Sequence, residues 1–199
     1  MKIRYNAPVT LTFTLVCVGV LAANQFLFSN LISAFFVVPG RMQFSFTDFF
    51  GYFRLLSHVI GHANWGHLMS NFSFILLLGP VLEEKYGSGS VLFMILITAF
   101  ITGILNVVFF TTGLLGASGI VFMMILLMSF ANVKRGEIPI TLLLIVALYI
   151  TKEVMNAFQN NSVSEFAHII GGFCGGLFGF LQTPQAEKKG PEDQIITGE

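Results

Sequence analysis

Between Ser90 and Thr111 the chain runs without a single charged residue. A helix needs about 20 mainly apolar residues to cross the hydrocarbon core of a bilayer. This stretch meets that length, and five more windows meet it or come close: Val9–Leu27, His67–Leu82, Ser118–Ala131, Ile138–Met155 and Phe166–Leu181. Short connectors at Glu83–Gly89, Thr112–Ala117, Asn132–Glu137 and Asn156–Glu165 separate the last five. The pattern predicts an all-α membrane protein of six transmembrane helices. Charged residues make up 10% of the chain, against roughly 25% in soluble domains. That deficit excludes an ordinary soluble enzyme, a nucleic-acid binder and a disordered protein.

The first window is too long for a signal peptide, and no small-residue cleavage site follows it. Between the first two windows lies a long segment, about Phe28–Gly66, too polar to span and too apolar for a free loop. Its aromatic residues, among them Phe35, Phe44, Phe46, Phe49, Phe50 and Phe53, suit the membrane interface. Packing on the protein's own outer face is the other reading, and both can hold. Residues 1–182 thus form one transmembrane domain, and 183–199 a polar, disordered tail. Lys/Arg counting sets orientation. With the N-terminus cytoplasmic, seven basic residues fall inside and Arg41, Arg54 and Lys152 outside, so both termini are expected in the cytoplasm.

In this topology three inward-running helices carry polar residues at one depth, just below the outer surface: His67 and Asn71, Ser118, and His168. Unpaired polar groups are costly in lipid, so these should meet inside the bundle or in a water-filled cavity. A serine hydroxyl needs a base before it can attack, and His168 can lie beside Ser118. Gly116 and Gly119 flank the serine and permit a tight helix entry. The helix N-terminus there leaves backbone N–H groups free to stabilise an oxyanion. His67 and Asn71, four apart, share a helix face and could add donors. No acid lies inside the fourth window, so a Ser-His dyad is expected rather than a triad.

Bland alternatives stand beside this. Gly and Ser are common packing residues in membrane helices, and a lone histidine is more often a helix–helix hydrogen bond. His58, His62 and His67 suggest a metal site, but no carboxylate or cysteine accompanies them. Cys17 and Cys174 both lie in apolar runs, which makes a disulfide framework unexpected. Gly171, Gly175 and Gly179 form a small-residue stripe suited to a close helix contact. Bulk there should push helices apart, valine more than alanine.

These residues together resemble the rhomboid intramembrane serine proteases of the minimal six-helix kind. The resemblance covers about Phe53 to Phe180. It rests on His58-Val-Ile-Gly-His62-Ala-Asn-Trp-Gly-His67-Leu-Met-Ser-Asn71, Glu84-Lys-Tyr-Gly-Ser-Gly89, Gly116-Ala-Ser118-Gly119 and Ala167-His168-Ile-Ile-Gly171-Gly-Phe-Cys-Gly175. It implies that Ser118 is nucleophile and His168 general base and then acid. His67, Asn71 and the Ser118 N–H would form the oxyanion hole. Arg54 and Glu84 would be structural. Phe122 stands where many members have a tyrosine stacked on the catalytic histidine. The implied activity is cleavage of transmembrane helices of other proteins near their outer ends, from a site opening to the outer face. The implied partners are transmembrane substrates and the lipid bilayer, with no metal, no cofactor and no nucleic acid. The membrane would be the plasma membrane if the chain is prokaryotic. A non-catalytic member that binds or escorts membrane proteins is the runner-up, although such a chain would usually have lost Ser118 or His168.

Overall fold

A computed structural model describes residues 4–130 and 165–181, with the single helical positions Ile140, Leu143, Leu144, Ala147, Leu148 and Thr151. The rest of the fifth apolar window and the tail from Thr183 lie outside the described residues. The described residues form helices and their connections, without a β-sheet: α1 Pro8–Phe26, α2 Leu31–Phe35, α3 Phe49–Ser57, α4 Trp65–Tyr86, α5 Ser88–Phe109, α6 Ser118–Phe130 and α7 Glu165–Leu181. Three of them, α1, α4 and α5, are long and apolar enough to cross a membrane; α6 and α7 are shorter apolar helices.

The packing inverts the pattern of a soluble helix. In α5 the buried stripe includes Thr98, Thr102, Gly103 and Asn106, while Leu92, Phe93, Leu96 and Phe100 face outward. A helix that turns its polar positions inward and its leucines and phenylalanines outward is solvated by lipid. The core between helices is built from Leu68, Phe72 and Ile75 of α4, Met94 of α5, and Ile120 and Met124 of α6.

The connector expected over Glu83–Gly89 shrinks to a single residue. Helix α4 runs on to Tyr86 and α5 starts at Ser88, with Gly87 at φ +82 between them. A side chain is strained in that left-handed region, and glycine is not. Glu83 ties the last turn of α4 to its neighbours. Its carboxylate accepts from Val9 N at 3.2 Å, Thr10 N at 2.7 Å, Thr10 Oγ1 at 2.7 Å and Ser88 Oγ at 2.6 Å. It therefore caps the start of α1 and joins α1, α4 and α5. Glu84, expected from the motif resemblance to play the structural role, is exposed. The carboxylate that holds these helices together is Glu83, one residue earlier, because that position faces α1.

The segment between α1 and α4 contains α2 and α3. Asp48 caps α3, accepting from Phe50 N at 3.0 Å. Arg54 donates from Nε to Ala34 O at 2.9 Å and lies 3.4 Å from the Asp48 carboxylate, which ties α3 to α2. Met42, Phe46 and Phe49 point outward and are about four-fifths exposed (82%, 80% and 79%), while Val38 and Leu55 are buried.

Candidate active site

The turn before α6 is held from two sides. Val38 and Leu114 exchange backbone bonds of 3.0 Å in both directions, and Arg41 N donates to Phe110 O at 2.6 Å. Gly116 N donates to His58 O at 2.9 Å. Gly116 itself has φ +111. A Cβ there would also lie 2.6 Å from Cε1 and 2.7 Å from Nε2 of His67. Conformation and space both demand glycine, and the His67 imidazole rests directly on the residue two before Ser118.

Ser118 opens α6 and is half-buried. The residue ahead of it, Ala117, has no side-chain acceptor. The first N–H groups of a helix have no intrahelical partner, so those at the start of α6 remain available to a developing negative charge.

On α4, Asn64 caps the helix by accepting from His67 N at 2.8 Å. That cap sets the start of the helix whose first two turns carry His67 and Asn71. Asn71 is buried, and its Nδ2 lies 3.2 Å from Nε2 of the fully buried His62. His62 Nδ1 lies 3.2 Å from Ile60 O. The His62 ring also meets the rings of His67 at 5.1 Å and Phe72 at 5.6 Å. Burial, reinforced by the neighbouring His67, pushes the His62 imidazole down to about 4. His58 is likewise buried, and that burial pushes it down to about 4. Its Nδ1 lies 3.1 Å from Leu55 O and its Nε2 3.4 Å from Thr102 Oγ1. Among the described residues, no three His, Cys, Asp or Glu side chains are grouped to hold a metal ion.

Helices α6 and α7 touch backbone to backbone. A Cβ on Gly171 would sit 2.7 Å from the carbonyl carbon of Gly119, and one on Gly175 would sit 2.9 Å from that of Met123. The two contacts share one register, since 171 − 119 and 175 − 123 are both 52. The helices therefore run side by side in the same direction. Carried one turn back, this register places the buried His168 level with the start of α6. Its ring lies 4.6 Å from that of Phe122, tilted by 39°. Phe122 follows Ser118 by four residues, so both share one face of α6. The missing phenolic hydroxyl thus leaves the ring contact in place.

The rhomboid-domain family model matches residues 50–185, well over half of the chain. The chain belongs to the rhomboid family. In this rhomboid protein three motif contacts gather around the start of α6, while Asn71 meets His62. Gly116 meets His67, Gly119 lies 3.2 Å by its would-be Cβ from Ala167 O, and Phe122 meets His168. Arg54 serves the segment ahead of α4 instead. Residues that sequence reasoning passed over are Glu83, the Thr98–Thr102–Asn106 stripe of α5 and the partnership of His62 with Asn71. The four-residue spacing of the stripe was visible in the sequence. The His62 contact was not, because it depends on how the loop before α4 folds back.

Proposed function

We propose that this rhomboid protein is an intramembrane serine endopeptidase working with a Ser118–His168 dyad. His168 takes the proton from Ser118 Oγ as the oxygen attacks the scissile carbonyl, then gives it to the leaving amine. His67, Asn71 and the Ser118 N–H receive the negative charge on the carbonyl oxygen. Water then hydrolyses the acyl-enzyme with His168 as base. The observation that carries the reading is the α6–α7 glycine contact, whose register brings His168 to the Ser118 end of α6 with its ring on Phe122.

The substrates are transmembrane helices of other proteins. Backbone amides inside a helix are already bonded, so the helix must unwind locally before its carbonyl can be attacked. Segments with weak helices or small residues near the interface are favoured. The reading carries with it six spans, cytoplasmic termini and a site opening to the outer face. Labelling with a serine-reactive fluorophosphonate tests it. Wild type should label and Ser118→Ala should not. Equal labelling of both would refute Ser118 as nucleophile.

A further inference from the structure

We propose that His62 is a positioning residue for catalysis: its unprotonated Nε2 holds the Asn71 amide with its NH2 group, not its carbonyl, toward the oxyanion. The inference rests on the oxyanion role given to Asn71 above. It starts from an asymmetry around one buried ring. Nδ1 of His62 lies 3.2 Å from Ile60 O, and a carbonyl oxygen can only accept. Nδ1 therefore carries the hydrogen. A neutral imidazole has one N–H, so Nε2 is left as an acceptor. The group facing it at 3.2 Å must then be a donor, and it is Nδ2 of Asn71. The carbonyl of Ile60 thus fixes the tautomer, and the tautomer fixes the amide.

The consequence for the site is direct. An asparagine amide can turn over, presenting oxygen where nitrogen stood. With oxygen turned to the reacting carbonyl, Asn71 would repel the developing charge. The primary amide has two N–H bonds. His62 takes one and leaves the second for the oxyanion. Rotation is further limited because His62 is fully buried, in contact with the rings of His67 and Phe72. The same ring meets both side chains proposed to act as oxyanion donors.

The test uses the full chain in detergent with a transmembrane substrate, reading kcat and KM separately. Asn71→Ala should lower kcat by about 10²–10³-fold at unchanged KM. An unchanged kcat would remove Asn71 from the oxyanion hole, and this inference with it. Given that loss, His62→Phe keeps a ring but offers no acceptor. It should lower kcat with KM unchanged, and should add no further loss in the Asn71→Ala background. His62→Gln, whose carbonyl can accept the same bond, should recover part of the rate. Equal losses in both backgrounds would make His62 merely structural and overturn the proposal. Where His62→Phe fails to fold, ¹⁵N NMR of the histidine-labelled wild type decides. A protonated Nδ1 and bare Nε2 on His62 support the proposal, and the opposite tautomer overturns it.

Discussion

Adding a single methyl group at Gly171 should nearly silence this protein without unfolding it. The Cβ of an alanine there would lie 2.7 Å from the carbonyl carbon and 2.9 Å from the Cα of Gly119. Carbon atoms in ordinary contact sit about 3.5–4.0 Å apart, so α6 and α7 must part by roughly 1 Å. The obstructing atoms are backbone and have no rotamer to change. Gly119 follows Ser118 directly, and Gly171 follows His168 by one turn. The displacement therefore falls on the distance between Ser118 and His168, the proposed nucleophile and base. A misplacement of about 1 Å can cost roughly 100-fold in rate, while overpacking costs about 1–3 kcal/mol of stability. Gly176→Ala is the matched control, since its nearest neighbour is the movable ring of Phe130 at 3.3 Å. Cleavage of a reconstituted transmembrane substrate and thermal unfolding should be followed for both variants. Near-wild-type cleavage by Gly171→Ala would refute the role of this contact, as would an equal loss in Gly176→Ala.

Glu83→Gln should lower the unfolding midpoint in detergent, because hydrogen bonds to a charged acceptor contribute about 1.5–3 kcal/mol and this carboxylate accepts four; Glu84→Gln, on an exposed side chain, should leave it unchanged, and the reverse ranking would contradict the assignment. Acid should destabilise the fold through His58 and His62. Both are pushed from 6.5 to about 4 in the folded chain, so as pH falls the unfolded chain takes up protons first. Stability should be level above about pH 6.5 and fall between there and pH 4, by up to about 3 kcal/mol for each ring. A midpoint independent of pH across that window would contradict the buried neutral state of these histidines. Ser118→Ala, His168→Ala and the double variant should be about equally inactive, since members of one catalytic unit are non-additive. Residual activity in Ser118→Ala that His168→Ala then removes would argue against a shared unit.

The helices were legible because lipid imposes a simple demand on sequence. Apolar runs mark the long α1, α4 and α5, and the observed ends differ from the windows by only a few residues. The end of α4 was misread because Glu83 and Lys85 look like loop residues until α1 supplies a partner for the carboxylate. The glycine stripe announced a backbone-to-backbone contact, but not its closeness, with Gly171 and Gly175 set directly on the carbonyls of Gly119 and Met123 and Gly179 on the Phe130 side chain. That is why alanine and valine were expected to differ at Gly171, where neither fits. The placement of Glu83 rather than Glu84 against α1 depends on helix rotation, to which a motif match is blind. The sequence offers His62 only as part of a metal-site pattern that lacks a carboxylate or cysteine, because its partner, Asn71, lies beyond the turn that starts α4.

Cleavage of a transmembrane substrate by purified protein in lipid vesicles, wild type beside Ser118→Ala, tests the central claim most directly. The wild type should cut the substrate within or next to its membrane segment, and Ser118→Ala should leave it intact while retaining the wild-type unfolding midpoint. Comparable cutting by Ser118→Ala would contradict the dyad, and a folded wild type that cuts no transmembrane substrate would point to a rhomboid protein that binds without catalysis.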